Sequence, residues 1–298
     1  MNLYRLHLKF AADSHGGSRE EAINFCLENN FLAIGWSYLY KDNNIKNLND
    51  YLNAVKHQSG EKSVKTFASL CINDLIWTRD LLGVYYLCRV ISAPEIYNDY
   101  TREIGCIVKV QIHEVGTNVP GFIVSRFSQP LSGTIQRIKD ETIIDYSMFL
   151  FNQKANQAVY SDIKKPNYDL CKMLHPLDLE ELVIAYLQIK YDYYLSKNSV
   201  ARGDTTIKIE CELYPRNTNN NQSAVLQVKN GNGWADPDSF KEYVQMGKKV
   251  FLYFANQNYG DEIDGIVYIK TEELYEFAHV YKSLLPSCLQ FWIEFCNM

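Results

Sequence analysis

The sequence predicts an α+β chain in two parts: a small mixed β-barrel, then an α/β layer on a central mixed sheet. Length is the first observation behind this. The 298 residues, 47% of them hydrophobic, suit two domains of ordinary size. Rhythm is the second. Short strands gather around one helical stretch in the first half, whereas the second half runs helix, strand, strand, helix, strand, strand, helix. The third is a polar, Lys-rich stretch over 152–167, which includes Lys164-Lys165-Pro166 and reads as a linker region. The expected division is 1–150, a linker over 151–170, and 171–298.

Each element has a local reason. Leu3, Arg5, His7 and Lys9 alternate with Tyr4, Leu6, Leu8 and Phe10, the pattern of a half-buried strand. His15-Gly16-Gly17 turns the chain, and Ser18 with Glu21 forms a capping-box pattern that opens a helix through Ala22, Phe25, Cys26 and Asn29. A short strand follows over 31–36, then helices over 47–55 and 64–72. Strands are expected over 75–79, 82–90 and 105–112, and a further hydrophobic edge strand over 119–125. A bridging helix fits 138–151.

In the second half Asp178 reads as the N-cap of a helix. Its apolar face is Leu179, Leu182, Val183, Tyr186 and Leu187. Residues 205–214 alternate, with Ile207, Ile209, Cys211 and Leu213 on one face and Lys208, Glu210 and Glu212 on the other. A turn over 217–222 leads to a buried strand over 223–229, closed by Asn230-Gly231-Asn232-Gly233. A helix near 238–246, strands over 249–254 and 265–269, and a helix over 271–281 complete the series.

Composition excludes several classes. Disorder, collagen and small disulfide scaffolds do not fit 47% hydrophobic and 22% charged residues. With 30 Lys+Arg against 35 Asp+Glu the net charge is -5, which argues against coating nucleic acid through bulk positive charge. Residues 1–165 hold 18 of the basic and 17 of the acidic residues, leaving 12 and 18, so the acidity belongs to the second half. Neither a signal peptide nor a run of 18 apolar residues is visible, so no membrane span is expected. The eight Cys are scattered without a C-x-x-C pair, which fits reduced thiols in a cytoplasmic protein. The six His never pair at i,i+4, which argues against zinc, and no Walker A motif is present, so no NTP motor is expected on this chain.

The chemistry-bearing constellation is Glu180 on the predicted helix, Glu210 on one strand, and Gln227 with Lys229 on the next. Gln227 and Lys229 are i,i+2 on a strand and share a face. Phosphodiester hydrolysis needs a metal held by carboxylate and amide oxygens, with a cation near the scissile phosphate. Glu210 and Gln227 can supply the oxygens, Lys229 the charge, and Glu180 can hold a second metal or a metal-bound water. Glu181 is a rival to Glu180, and Glu212 to Glu210, because position alone does not separate them.

On Leu179-Glu180-Glu181-Leu182-Val183, Ile209-Glu210-Cys211-Glu212-Leu213 and Val225-Leu226-Gln227-Val228-Lys229, residues 176–292 resemble the PD-(D/E)XK nuclease superfamily, in particular the Mrr-like restriction endonucleases. Mrr-like members often carry Q-x-K, as here. The usual Asp is replaced by Glu210, a departure from the commonest pattern.

Phe31-Leu32-Ala33-Ile34-Gly35-Trp36, Asn73-Asp74-Leu75-Ile76-Trp77, the strand from Gly83 through Arg89, and Tyr97-Asn98-Asp99 give residues 3–128 a second resemblance, to EVE or PUA-like domains. Such domains read nucleic acid, and EVE domains are associated with modified bases flipped from the duplex. A flipped base needs aromatic walls and polar groups for its edge. Trp36 and Trp77 are the candidate walls, Asp74 the edge reader, and Arg79 and Arg89 the phosphate contacts.

Together the resemblances imply an EVE/PUA-like mixed barrel joined to a restriction-endonuclease-like α/β domain. They imply a Mg²⁺- or Mn²⁺-dependent DNA endonuclease, modification-dependent, in bacterial restriction or anti-phage defence. One such site cuts one strand, so double-strand cleavage implies a homodimer. Two alternatives stand beside this: a catalytically inactive nucleic-acid-binding or partner-docking module, and an RNA-directed nuclease.

Overall fold

A seven-stranded mixed sheet organises the first of two compact units, Met1–Lys164, and a five-stranded mixed sheet the second, Lys165–Met298. The computed structural model describes every residue except 42, 130–132, 165–169, 197–208, 218–221 and 298, and element counts refer to the described residues.

The first unit contains β1 (Leu3–Leu6), α1 (Arg19–Glu28), β2 (Phe31–Ile34), α2 (Leu48–Ala54), α3 (Glu61–Ala68), β3 (Leu75–Arg79), β4 (Tyr85–Val90), β5 (Glu95–Asp99), β6 (Ile104–Gly116), α4 (Gly121–Phe127), β7 (Ile135–Ile138) and α5 (Glu141–Ala155). The strand order is β2-β6-β4-β3-β1-β7, with β5 also paired to β6. Only β1 and β3 run parallel. The long strand β6 gives the sheet its curl. Ile104 to Lys109 pair with β2 and β5, and Val110 to Gly116 pair with β4. That change of partners rolls the sheet into a half-barrel. The N-cap expected at Ser18 is present, its Oγ accepting from Glu21 N at 3.0 Å. Tyr160 holds the segment after α5 to this unit by donating to the Asn73 carbonyl at 2.9 Å.

Three expectations are corrected here. Strand β1 is not half-buried: it lies between β3 and β7, all four residues are buried, and Arg5 is 0% exposed. Alternation marks a strand but does not say that its second face meets water. Residues 119–125 do not form a strand. Pro120 stands at the N-cap of α4, and Ile123 and Phe127 bury at i,i+4. A short apolar run is ambiguous in period, and Pro at a helix start decided it. The strand expected from Leu82 begins at Tyr85, because Gly83 (φ +85°) and the Asp80 carboxylate, accepting from Val84 N at 2.8 Å, make a turn there.

The second unit contains α6 (Leu170–Met173), α7 (Pro176–Lys190), β8 (Tyr193–Leu195), β9 (Cys211–Pro215), β10 (Ala224–Lys229), α8 (Lys241–Gln245), β11 (Lys249–Phe254), β12 (Ile266–Ile269), α9 (Thr271–Val280) and α10 (Ser287–Cys296). The order is β12-β11-β10-β9-β8, parallel across β10–β11–β12 and antiparallel across β8–β9–β10. The strand expected over 205–214 is described from Cys211; Ile207 and Lys208 lie outside the described residues. One sheet face packs Val225, Val250, Leu252 and Phe254 against Phe240. Facing the other way, Phe251 meets Tyr191 and Tyr193 edge-on, and Tyr186 of α7 meets Phe277 of α9. The expected apolar face of α7 is buried residue for residue. Among the described residues no helix is long and apolar enough to cross a membrane, and all eight cysteines are free thiols.

Candidate functional site

Strands β9 and β10 bring Glu210 and Gln227 together. Glu210 is one residue before β9, and its N–H donates to the Leu226 carbonyl at 2.8 Å, extending the ladder by one step. It therefore stands opposite Gln227, on the same face. Gln227 Nε2 donates a short hydrogen bond to Glu210 Oε1 and a second to the Val228 carbonyl at 3.0 Å. Gln227 is buried, so the carboxylate meets a fixed amide. Lys229 follows at i+2 on the same face, at the C-terminal end of β10.

Helix α7 adds Glu180. The helix starts earlier than the sequence suggested: Pro176 occupies the first helical position, and His175 Nδ1 accepts from Leu177 N at 3.3 Å. Asp178 is consequently not the N-cap but a buried first-turn residue, and Glu180 falls in the second turn. The turn after β10 is tied to this helix start, since Asn230 Nδ2 donates to the Leu174 carbonyl at 2.9 Å.

Electrostatics register the convergence. Burial and then the neighbouring Glu210 carboxylate push Glu180 up to about 7, and Lys229 pulls the other way. The Cys211 thiol rises to about 12 through burial, followed by Glu210 and Glu180. Glu210, Gln227 and Lys229 thus stand together around the carboxyl end of β10, with Glu180 of α7 within electrostatic reach of Glu210 and Lys229. Parallel strands of open α/β sheets commonly hold ligands at such ends.

The rivals separate. Glu212 is bound to Lys248 at 2.6 Å and stands opposite Val225 rather than Gln227, and Glu181 is exposed one residue round the helix. His175 is spent on its helix cap. Glu180, Glu210 and Gln227 form an all-oxygen donor set, which suits a hard cation such as Mg²⁺ or Mn²⁺. Among the described residues no group of three or more His, Cys, Asp and Glu is placed to hold a metal. The set here has two carboxylates, and its third member is an amide.

The first-half candidates fare differently. Trp77 is 0% exposed, and its Nε1 donates to Ser147 Oγ on α5 at 3.0 Å. It is a core side chain with no face left for a base. Asp74 is also buried, accepting from Asn2 N at 2.7 Å, Asn2 Nδ2 at 3.2 Å and Cys71 N at 3.0 Å. Those bonds occupy the groups that would have read a base edge. Trp36 follows β2, which β6 and β4 separate from β3 in the sheet. It is half-buried with φ +68°, its N–H donating to Glu103 Oε1 at 2.8 Å. Its ring lies on Gly60, where any Cβ would overlap it. Trp36 and Trp77 are therefore not two walls of one slot.

Arg79 and Arg89 also part. Register pairs Arg79 with Tyr85 and Arg89 with Leu75, at opposite ends of the β3–β4 hairpin. Arg89 lies over Phe151 at 5.9 Å, whereas Arg79 lies over Tyr85 and Phe127, each at 5.4 Å. Pro120-Gly121-Phe122 opens α4.

No protein-family model, curated protein or solved structure matches the chain.

Proposed function

We propose that the chain is a Mg²⁺-dependent DNA endonuclease, with Mn²⁺ able to substitute, and that Glu180, Glu210, Gln227 and Lys229 form its site. The observation that carries this reading is the Glu210–Gln227 hydrogen bond across β9 and β10, with Lys229 next on the same face and Glu180 within electrostatic reach. Glu210 and Gln227 would hold the cation, and Glu180 a second cation or its water. A bound divalent ion supplies Lewis-acid polarisation of the phosphoryl oxygens and makes bound water more acidic. Gln227 fixes the orientation of Glu210 through its amide. Glu180, poised near neutrality, can hold or release a proton at its carboxyl group. The Lys229 ammonium stabilises charge that develops on the phosphate in the transition state. Double-strand cleavage through one site per chain calls for a homodimer. Restriction or anti-phage defence, with modified DNA as target, is the setting that goes with this reading.

Metal titration tests the donor set. Mn²⁺ should bind the full chain and lose at least about tenfold in affinity in Glu210→Gln, since one charged oxygen ligand is removed. Unchanged Mn²⁺ binding in that variant would contradict the assignment and favour a non-catalytic binding module. Competition between labelled RNA and DNA separates the RNA-directed alternative.

A further inference from the structure

The parallel strands β1 and β3 end side by side, and basic side chains collect there in excess over acidic ones. Register pairs Arg5 with Trp77, so one step further along the same face stand His7 and Arg79. Phe127 of α4 is the hub of the group. His7 meets its ring edge-on at 4.8 Å, and the guanidinium carbons of Arg5 and Arg79 lie 5.8 Å and 5.4 Å from its centroid. Arg19 enters from α1, its Nε donating to the Leu8 carbonyl at 3.3 Å.

The buried member is the informative one. Arg5 is 0% exposed, yet among the described residues it bonds to neutral acceptors: the Gly133 carbonyl at 2.9 Å and Gln136 Oε1 at 3.2 Å. Its Nε and His7 Nε2 are buried with no hydrogen-bond partner among the described residues. Among the described residues no carboxylate forms an ion pair with Arg5, Arg19 or Arg79. Asp80 lies nearby, but its oxygens accept from Val84 N at 2.8 Å and from Tyr86 Oη at 3.1 Å. Burial together with Arg5, Lys9, Arg79 and Arg19 drives His7 down to about 3, so the imidazole is neutral, with one ring N–H to donate and one ring nitrogen to accept. A buried arginine without an anion is costly, and buried charges are ordinarily paired.

An open pocket of about 410 Å³ adjoins this group, lined by His7, Arg19, Arg79 and Asp80, with Leu81 and Leu82 as an exposed apolar lip. We infer that this pocket is a binding site for a phosphate ester, whose oxyanion is met by Arg19, Arg79 and His7 with Arg5 behind them. Two forked guanidinium groups and a neutral imidazole N–H suit a tetrahedral oxyanion better than a point cation would. The leucine lip suits the organic body that a phosphate ester carries. This site does not rest on the nuclease reading of the second unit.

The test titrates the full chain with inorganic phosphate in EDTA, at ionic strength held constant with NaCl, so that nothing measured involves a metal. Saturable binding by calorimetry is expected, together with movement of the His7 ring signals in NMR. No saturable binding, or binding that leaves His7 unmoved, would overturn the inference. Arg19→Gln and Arg79→Gln should each weaken phosphate by about tenfold, the scale of one charge-assisted contact. Unchanged affinity in both folded variants would also overturn it. If either variant fails to fold, the His7 signals of the unaltered chain decide. Thymidine 5′-monophosphate and a 5′-hydroxyl thymidine hexanucleotide are then used as competitors. Displacement by the hexanucleotide assigns the site to strand phosphodiesters, displacement by the monophosphate alone assigns it to monoesters, and displacement by neither refutes the ester assignment.

Discussion

Glu180 has one way to lower its free energy in the folded chain without a cation, which is to keep its proton. Its folded value of about 7 lies above the ordinary 4.5, so the folded state binds a proton that the unfolded state has released. Stability from this group is therefore present below about 4.5 and is lost as pH rises through 7. In thermal melts of the metal-free protein, Glu180→Gln should flatten the decline between those pH values, and its midpoint at pH 8 should exceed that of the unaltered chain. A variant as pH-dependent as its parent would remove Glu180 from the carboxylate pair. Trp77 illustrates the opposite kind of residue. Ser147→Ala would leave its buried indole N–H without an acceptor, at a cost of roughly 1–3 kcal/mol in urea unfolding. DNA binding should be unaltered in that variant, because the indole faces the core. Both tryptophans met the compositional demands of a base slot. Sequence alone could not place them, since a core aromatic and a stacking aromatic look identical until the sheet order is known.

Elements were legible in proportion to how much of their pattern is local. Ser18 capping α1 and the apolar stripe of α7 follow from neighbours within a turn or two, and both appear at the expected positions. Strand β1 was legible as a strand but not as an inner one, because β7 covers its far edge from more than a hundred residues away. That missing fact hid Arg5, whose alternation with Tyr4 and Leu6 looked like a solvent face. The signal was present in retrospect: Arg5, His7 and Lys9 place three basic groups at successive same-side positions with no acidic residue among them. In the second unit, alternation identified Gln227 and Lys229 as face-sharing. It could not choose Glu210 over Glu212, which required the β9–β10 register and the competing Lys248. Asn230-Gly231-Asn232-Gly233 marks a turn by composition, but nothing local marks the bond from Asn230 to Leu174. Asn230→Ala should cost about 1 kcal/mol, the net worth of one hydrogen bond. It should also slow DNA cutting while leaving Mn²⁺ affinity at Glu210 and Gln227 unchanged, because it loosens the seat of α7, and Glu180 with it, but not β9 or β10. Equal cutting rates would mean that the tie does not position Glu180.

Across the whole molecule, charge is distributed by role rather than by bulk. The net -5 hides a nearly balanced first half with a pocket in which Arg19, Arg79 and His7 outnumber Asp80, and an acidic second half in which Glu180 feels both Glu210 and Lys229. The two proposals would place an ion of the other sign at each, an oxyanion in the first unit and a cation in the second. The thiols are independent of both. A thiol reagent should modify Cys71 promptly in the native chain, because it is the exposed one, and reach six buried cysteines only on unfolding. Fewer than eight reactive thiols in denaturant without reductant would reveal a disulfide that the fold does not contain. DNA cleavage decides whether Glu180, Glu210, Gln227 and Lys229 of the second unit form a nuclease site. Modified phage DNA and plain DNA are incubated with the full chain in Mg²⁺ and in EDTA, beside folded Lys229→Ala. Cutting is expected from the unaltered chain in Mg²⁺ only, with a loss of at least about a hundredfold in the variant, as for removal of one transition-state charge contact. Cutting by Lys229→Ala at the parental rate, or undiminished cutting in EDTA, would contradict that assignment.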